Sequence, residues 1–239
     1  MDELIIAGQF NGPADSGNGG YTAGLVASRL AAAAGVATAQ TAQVTLRVPP
    51  PLDTPLRVTA AGHGIEVYAG GQLVAEAAPV ELPDDPPIPP ISYPDAVAAA
   101  TAYPGFVDHP FPTCYVCGPR RPAGDGLRIF PGPLPDGRTA APWLVPDGCT
   151  EVTVWAALDC PGGWAILAPG RPYVLGRMAA RVERVPPAGT ACVVLGEVVA
   201  TEGRKAQVRT ALYGSDPAGR QRRRELHRLA SARSTWIAV

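Results

Sequence analysis

The chain has 239 residues, of which 46 % are hydrophobic and 17 % charged, enough for one large or two small globular domains with real cores. Its formal net charge of −1 argues against a nucleic-acid partner, which needs a basic surplus to neutralise phosphates. No apolar run approaches the ~20 residues of a membrane helix, no signal peptide is expected at Met1-Asp2-Glu3-Leu4, and the odd, scattered set of five cysteines predicts a reducing, cytoplasmic setting rather than a disulfide framework.

A first unit is predicted over residues 1–82. A short strand at Leu4-Ile5-Ile6 precedes Asp15-Ser16-Gly17-Asn18, which supplies turn and helix-capping chemistry. From Gly19 to Ala34 the chain is rich in Ala and Leu and free of proline, as a helix requires. Strands are then predicted at Gln43–Val48, Leu56–Ala61, Ile65–Ala69 and Leu73–Ala78. Val44, Leu46 and Val48 alternate with Thr45 and Arg47, the period of a half-buried strand. Gly62-His63-Gly64 and Gly70-Gly71 mark the turns.

Residues 83–112 are dense in proline, including Pro86-Pro87 and Pro89-Pro90, and read as a partly stiff linker with a short helix near Ala96–Ala102. The second unit, residues 113–239, carries predicted strands at Leu127–Phe130 and Thr139–Leu144, then the apolar stretch Thr153–Leu167. Extended segments follow at Val174–Val185, Ala191–Thr201, Lys205–Tyr213 and Leu229–Val239. Gly19-Gly20-Tyr21 is answered by Gly162-Gly163-Trp164, and Arg47-Val48-Pro49-Pro50 by Arg184-Val185-Pro186-Pro187, in the same order and at nearly the same separation. The two units therefore read as a duplication, each with a strand, a helix and several antiparallel strands.

That order, with three motifs, resembles the double hot-dog acyl-CoA thioesterases. Asn18-Gly19-Gly20-Tyr21-Thr22-Ala23 is similar to the segment that opens the helix of their N-terminal domain. Ala157-Leu158-Asp159-Cys160 is similar to a Ser-Leu-Asp-His type of segment on their C-terminal helix. Cys114-Tyr115-Val116-Cys117-Gly118 followed by Gly126-Leu127-Arg128 resembles the start of many single-domain hot-dog thioesterases. The resemblance implies an α+β tandem hot-dog fold, with two long helices each wrapped by a curved antiparallel sheet. It also implies hydrolysis of an acyl-CoA or other thioester without a cofactor.

Thioester hydrolysis requires an activated water and donors for the developing oxyanion. By the resemblance, Asp159 is the base. Burial in its apolar stretch would raise its pKa. The substrate would be held by Asn18, Gly19, Gly20 and Tyr21 at one helix start and by Gly162 and Gly163 near the other, one composite site per chain. Asp159 is expected to face residues 18–20 across a gap about as wide as a thioester. The family's water-holding threonine and glutamine fall by rough register near Thr201 and Ser234, and the glutamine is absent. The residues also allow plainer readings: Asp159 as a helix cap, Gly-Gly as close packing, and the whole chain as a non-catalytic acyl or acyl-CoA binder.

Cys114 and Cys117 have the spacing of half a zinc knuckle. Only His109, Cys149 or Cys160 offer the remaining ligands, and there is no second Cys-x-x-Cys, so a tight loop without metal is expected. Arg220, Arg222, Arg223, Arg224 and Arg228 are either a solvated basic loop or a hold for coenzyme A phosphates. Gly-x-Ser-x-Gly and phosphate-loop motifs are absent. Homo-oligomerisation through sheet edges stays open.

Overall fold

The computed structural model describes residues 2–33, 41–166, 171–215 and 226–239. The first half contains β1 (Asp2–Leu4), α1 (Gly19–Ala33), β2 (Ala42–Leu46), β3 (Leu56–Ala61), β4 (Gly64–Ala69) and β5 (Gln72–Pro79). After α2 (Tyr93–Ala100), the second half contains β6 (Gly132–Pro133), β7 (Thr139–Leu144), α3 (Glu151–Ala157), α4 (Asp159–Ile166), β8 (Tyr173–Val182), β9 (Ala191–Glu202), β10 (Lys205–Ser215) and β11 (Leu226–Ala238).

Among the described residues the strands form a single antiparallel sheet of eleven, ordered β1-β3-β4-β5-β2-β8-β11-β10-β9-β7-β6. The halves join where β2 pairs with β8, Val44 opposite Met178. Outward from that seam both halves read alike over five strands: the strand after the helix, then the last, the next to last and the one before it, then a strand preceding the helix. The short β6 lies beyond β7 on the second half's edge. This is the topology a duplication predicts. Arg47-Val48-Pro49-Pro50 and Arg184-Val185-Pro186-Pro187 fall at equivalent places, just past β2 and β8. The glycine match does not. Gly19 opens α1, whereas Gly162 and Gly163 lie inside α4, so the second pair is not a helix start.

The expected second long helix is two short ones, hinged at Leu158 (φ −77°, ψ −9°). Pro161 accounts for the break: it has no N–H to give the Ala157 carbonyl, and its ring would crowd that oxygen in a continuous helix. Thr150 caps α3 through a reciprocal pair with Thr153.

Helix α1 buries Gly20, Ala23, Gly24 and Ala27, and its small residues admit the neighbouring helix. A Cβ on Gly24 would lie 2.7 Å from the Trp155 Cβ and 3.0 Å from the Val152 Cα, and one on Gly20 would lie 2.5 Å from the Asp159 Cβ. Successive turns of α1 thus meet α3 in reverse order, so the two run antiparallel. The start of α1 points at the α3–α4 break.

The proline-rich segment is not a free connector. On β7, β9 and β10, Ala140, Val193, Leu195, Ala211 and Tyr213 alternate with the main-core residues Ala141, Val194 and Leu212 and so occupy the opposite face. Ile88 and Ala96 cover that face, and the Tyr213 hydroxyl donates to the Ile88 carbonyl at 2.6 Å. Ser92 caps α2 by accepting from the Asp95 amide. The expected strand Leu127–Phe130 is absent because Arg128 has φ 52°. The segment is held irregularly instead, with the Leu127 and Ile129 amides bonded to the Tyr115 and Val116 carbonyls. Arg220 and Arg222–Arg224 lie outside the described residues. Arg228 pairs with Glu183. Among the described residues no helix is long and apolar enough to cross a membrane.

Candidate functional site

Asn18 does two jobs at the mouth of α1. Its Oδ1 accepts from the Tyr21 amide at 2.9 Å, the geometry of a helix N-cap. Its Nδ2 donates at 2.9 Å to Oδ2 of Asp159, which also accepts from the Gly20 amide at 3.0 Å. The Asp159 carboxylate therefore sits on the positive end of α1, where a negative group is favoured. It does not cap its own helix α4, as the plainer sequence reading supposed. The expected thioester-wide gap is also not there: Asp159 and residues 18–20 are in direct contact.

Asp159 is only 2 % exposed. Burial pushes its pKa up to about 7, with the neighbouring Cys114 thiol adding to the rise and the Gly20 and Asn18 hydrogen bonds opposing it. Its Oδ1 is buried and has no partner among the described residues. An acceptor in that state is where an ordered water is expected.

Asn18→Ala removes both the cap and one bond to Asp159. It is expected to lower stability by about 1–2 kcal/mol, the upper range for a lost cap. Denaturant unfolding of the two proteins checks this, and an unchanged midpoint would contradict the double role.

Around Asp159 stands a cluster of thiols. Cys114, Cys117 and Cys160 are all buried, with their sulfurs within 4.8 Å of one another. Burial drives Cys117 and Cys160 well above the ordinary thiol range, whereas hydrogen bonds to Cys117 and Cys160 hold Cys114 well below it. The Trp164 indole N–H lies 3.5 Å from the Cys117 sulfur, and His109 Nε2 lies 3.4 Å from it. Burial pulls the His109 imidazole toward its neutral form. Cys149, the other cysteine considered beside these in the sequence, is 3.8 Å from the Thr150 carbonyl instead.

The loop that carries Cys114 and Cys117 is anchored by Arg121, whose guanidinium donates to the Thr113 carbonyl, the Gln9 carbonyl, Asn11 Oδ1 and Asp125. A planar fork with five donors suits this set of acceptors from both halves.

Asp159, the three cysteines and His109 line a cavity of about 280 Å³ between the halves. Asn18 and Gly19 reach it from the first half, and Asp159, Cys160, Gly163 and Trp164 from the second. Beside them, β8 contributes Leu175 and β11 contributes Trp236. Leu175 has no polar group, and the indole N–H of Trp236, buried without a partner among the described residues, can donate to a water but cannot accept its proton.

Of the other expected site residues, Thr201, Ser234, Tyr21 and Gly162 lie outside this cavity, and Gly163 borders it. Thr201 is exposed near the β9–β10 turn, and Ser234 is buried on β11 with its hydroxyl unpartnered; neither lines this cavity. Tyr21 stacks on Phe10 at 3.8 Å. Gly162 packs on Val208 and Thr210 of β10, and Gly163 faces the Trp236 ring, so both serve close helix–sheet approach. Leu175, Trp164 and Trp236 were not singled out as cavity residues in the sequence; alternation along β8 and β11 marks their buried face but not their neighbours.

No protein-family model matches the sequence, and no curated protein matches it. Solved structures do match over nearly the whole chain, among them proteins named as hot-dog folds or as thioesterases. A provisionally named thioesterase of Novosphingobium aromaticivorans superposes with a TM-score of 0.63 at 15 % identity, covering 98 % of this chain and 94 % of that one. A conserved hot-dog-fold protein of unknown function from Alicyclobacillus acidocaldarius gives 0.60 at 10 %, covering 99 % and 92 %. A TesB protein of Mycobacterium avium subsp. paratuberculosis gives 0.59 at 12 %, also covering 99 % and 92 %. At these identities the likeness establishes the hot-dog fold.

Proposed function

We propose that the chain is a thioesterase built as two hot-dog halves, residues 1–82 and 113–239 joined by residues 83–112, with α1 and the α3–α4 pair as their central helices. It hydrolyses an acyl-CoA or related thioester in the cavity between the halves. Asp159 is the base that takes a proton from water, and the Gly19 region at the start of α1 faces the thioester carbonyl. The observation that carries this reading is the unpartnered, buried Oδ1 of Asp159, a carboxylate otherwise fixed by Asn18 and Gly20 at the wall of an apolar cavity. A carboxylate held by one oxygen, with the other free to accept, is suited to orienting a water. The volume of about 280 Å³ is at the small end for a ligand site and favours a short or compact acyl group. The odd cysteine count supports a cytoplasmic setting.

A second reading, a non-catalytic acyl or acyl-CoA binder, is favoured by Leu175 and Trp236, neither of which offers the water a second acceptor. A screen of short, long and aromatic acyl-CoAs separates the two by following thiol release alongside binding of the same compounds. Release above the buffer rate with short or aromatic acyl groups is the expected result. Tight binding without release supports the binder, and neither one overturns both readings.

A further inference from the structure

We propose that Cys114, Cys117 and Cys160, completed by His109, form a zinc site that fastens the end of the proline-rich segment to the first turn of α4. The set has the composition of a closed structural centre, three cysteines and one histidine, all supplied by the protein. The distances fit. Tetrahedral zinc with bonds of about 2.3 Å to sulfur spaces its sulfurs about 3.8 Å apart and places a histidine nitrogen about 3.6 Å from each. Cys114 and Cys160 have their sulfurs 3.8 Å apart, and His109 Nε2 lies 3.4 Å from the Cys117 sulfur. All three sulfurs fall within 4.8 Å of one another, although Cys160 is 43 residues along the chain from Cys117 and arrives on a different element.

The surroundings supply what thiolate ligands need. The Gly118 amide donates to the Cys114 carbonyl at 2.9 Å, which closes the Cys-x-x-Cys turn. The Trp164 indole N–H approaches Cys117, and the Asn18 amide nitrogen lies 3.8 Å from Cys114. Such outer donors orient ligands and disperse their charge. The turn itself is built for close approach, because a Cβ on Gly118 would lie 2.5 Å from the Cys114 nitrogen. Coordination exchanges the three S–H protons for the cation and involves no change of oxidation state.

One adjustment is required at His109. The Phe111 amide donates to its Nδ1 at 2.8 Å, which leaves the ring proton on Nε2. A histidine that binds metal through Nε2 carries its proton on Nδ1, so the Phe111 contact must open as the cation enters. With all four positions filled by the protein, the cation has no place for substrate and acts as a clasp.

The test uses the full chain purified under reducing conditions without chelator. Elemental analysis is expected to find about one zinc per chain, as in other closed sites of this composition. Replacement of that zinc by Co²⁺ is expected to give the absorption of a tetrahedral thiolate centre. Cys117→Ser is expected to lose the metal. His109→Ala is expected to keep the fold, to shift the Co²⁺ bands, and to weaken binding by more than the roughly 10–100-fold that loss of an outer partner costs. Trp164→Phe, which removes no ligand, is expected to retain zinc. Should Cys117→Ser fail to fold, the wild-type metal content and Co²⁺ spectrum still decide the matter. Reduced wild-type protein that contains no zinc and takes up neither Zn²⁺ nor Co²⁺ overturns the proposal. So does a disulfide among the three cysteines in the freshly purified chain, or a Co²⁺ spectrum unaltered by His109→Ala.

Discussion

Asp159→Asn is expected to lower thioester turnover by roughly 10²–10⁴-fold, the loss typical of a positioned acid–base group, with acyl-CoA affinity close to wild type. The substitution keeps the shape. The Asn carbonyl oxygen can take the place of Oδ2 and accept from Asn18 and the Gly20 amide, so α1 stays capped. The new NH₂ then occupies the position of Oδ1, where it can donate to a water but cannot take a proton from it. Stability argues the same way. A neutral amide is cheaper to bury than a carboxylate, so the variant should melt no earlier than wild type. Loss of rate in a protein of unchanged stability therefore reports the chemistry. Turnover that survives in Asp159→Asn would make the carboxylate an anchor for the start of α1, and the acyl-binding reading would replace hydrolysis.

The sheet was legible where one face is buried and the other is not. Val44 is buried on β2 as expected, but the strand ends at Leu46 and its burial does not alternate strictly, since Thr45 is buried and Leu46 partly exposed. The repeated Arg-Val-Pro-Pro falls just past β2 and β8. The duplicated topology follows from those elements. What the sequence hid was distance between helices. Gly19 and Gly20 read equally well as a site for a carbonyl or as close packing, and both pack closely: a Cβ on Gly19 would lie 2.6 Å from the Leu175 Cβ. Gly19 borders the cavity, while Gly20 lies against Asp159. The break at Leu158 was obscured because Pro161 is tolerable in a first turn; α4 does begin just before it, but only by ending α3. Thr201 and Ser234 fall outside the cavity that holds Asp159, and register along a strand, without a second sequence for comparison, slips freely. A slip of two residues along β11 already exchanges Ser234 for Trp236, the residue that lines the cavity. The cysteine cluster was half visible. Cys114 and Cys117 announce themselves by spacing, whereas Cys160 and His109 join them only through the fold.

Gly20→Ala is expected to destabilise the protein by about 1–3 kcal/mol, the usual range for overpacking a tight interior. In an exposed helix the same change would stabilise by up to about 1 kcal/mol, because alanine is the better helix former. Contact decides the sign. The added methyl would stand 2.5 Å from the Asp159 Cβ and 2.8 Å from the Trp155 carbonyl oxygen. Neither atom can swing aside as the tip of a long side chain could, so α1 must move away from α3. That movement stretches the Gly20 amide bond to Asp159 and frees the carboxylate to reorient. Stability and turnover should therefore fall together, which separates this variant from Asp159→Asn, where only turnover falls. Gly71→Ala is the control: no atom lies within 4 Å of its added methyl, and its φ is not positive. It is expected to be neutral or to stabilise by about 0.4–1 kcal/mol through the unfolded chain. Denaturant unfolding of the three proteins gives the comparison. A Gly20→Ala protein as stable as Gly71→Ala would mean that α1 and α3 are not in the contact described, and the placement of Asp159 against the start of α1 would fall with it.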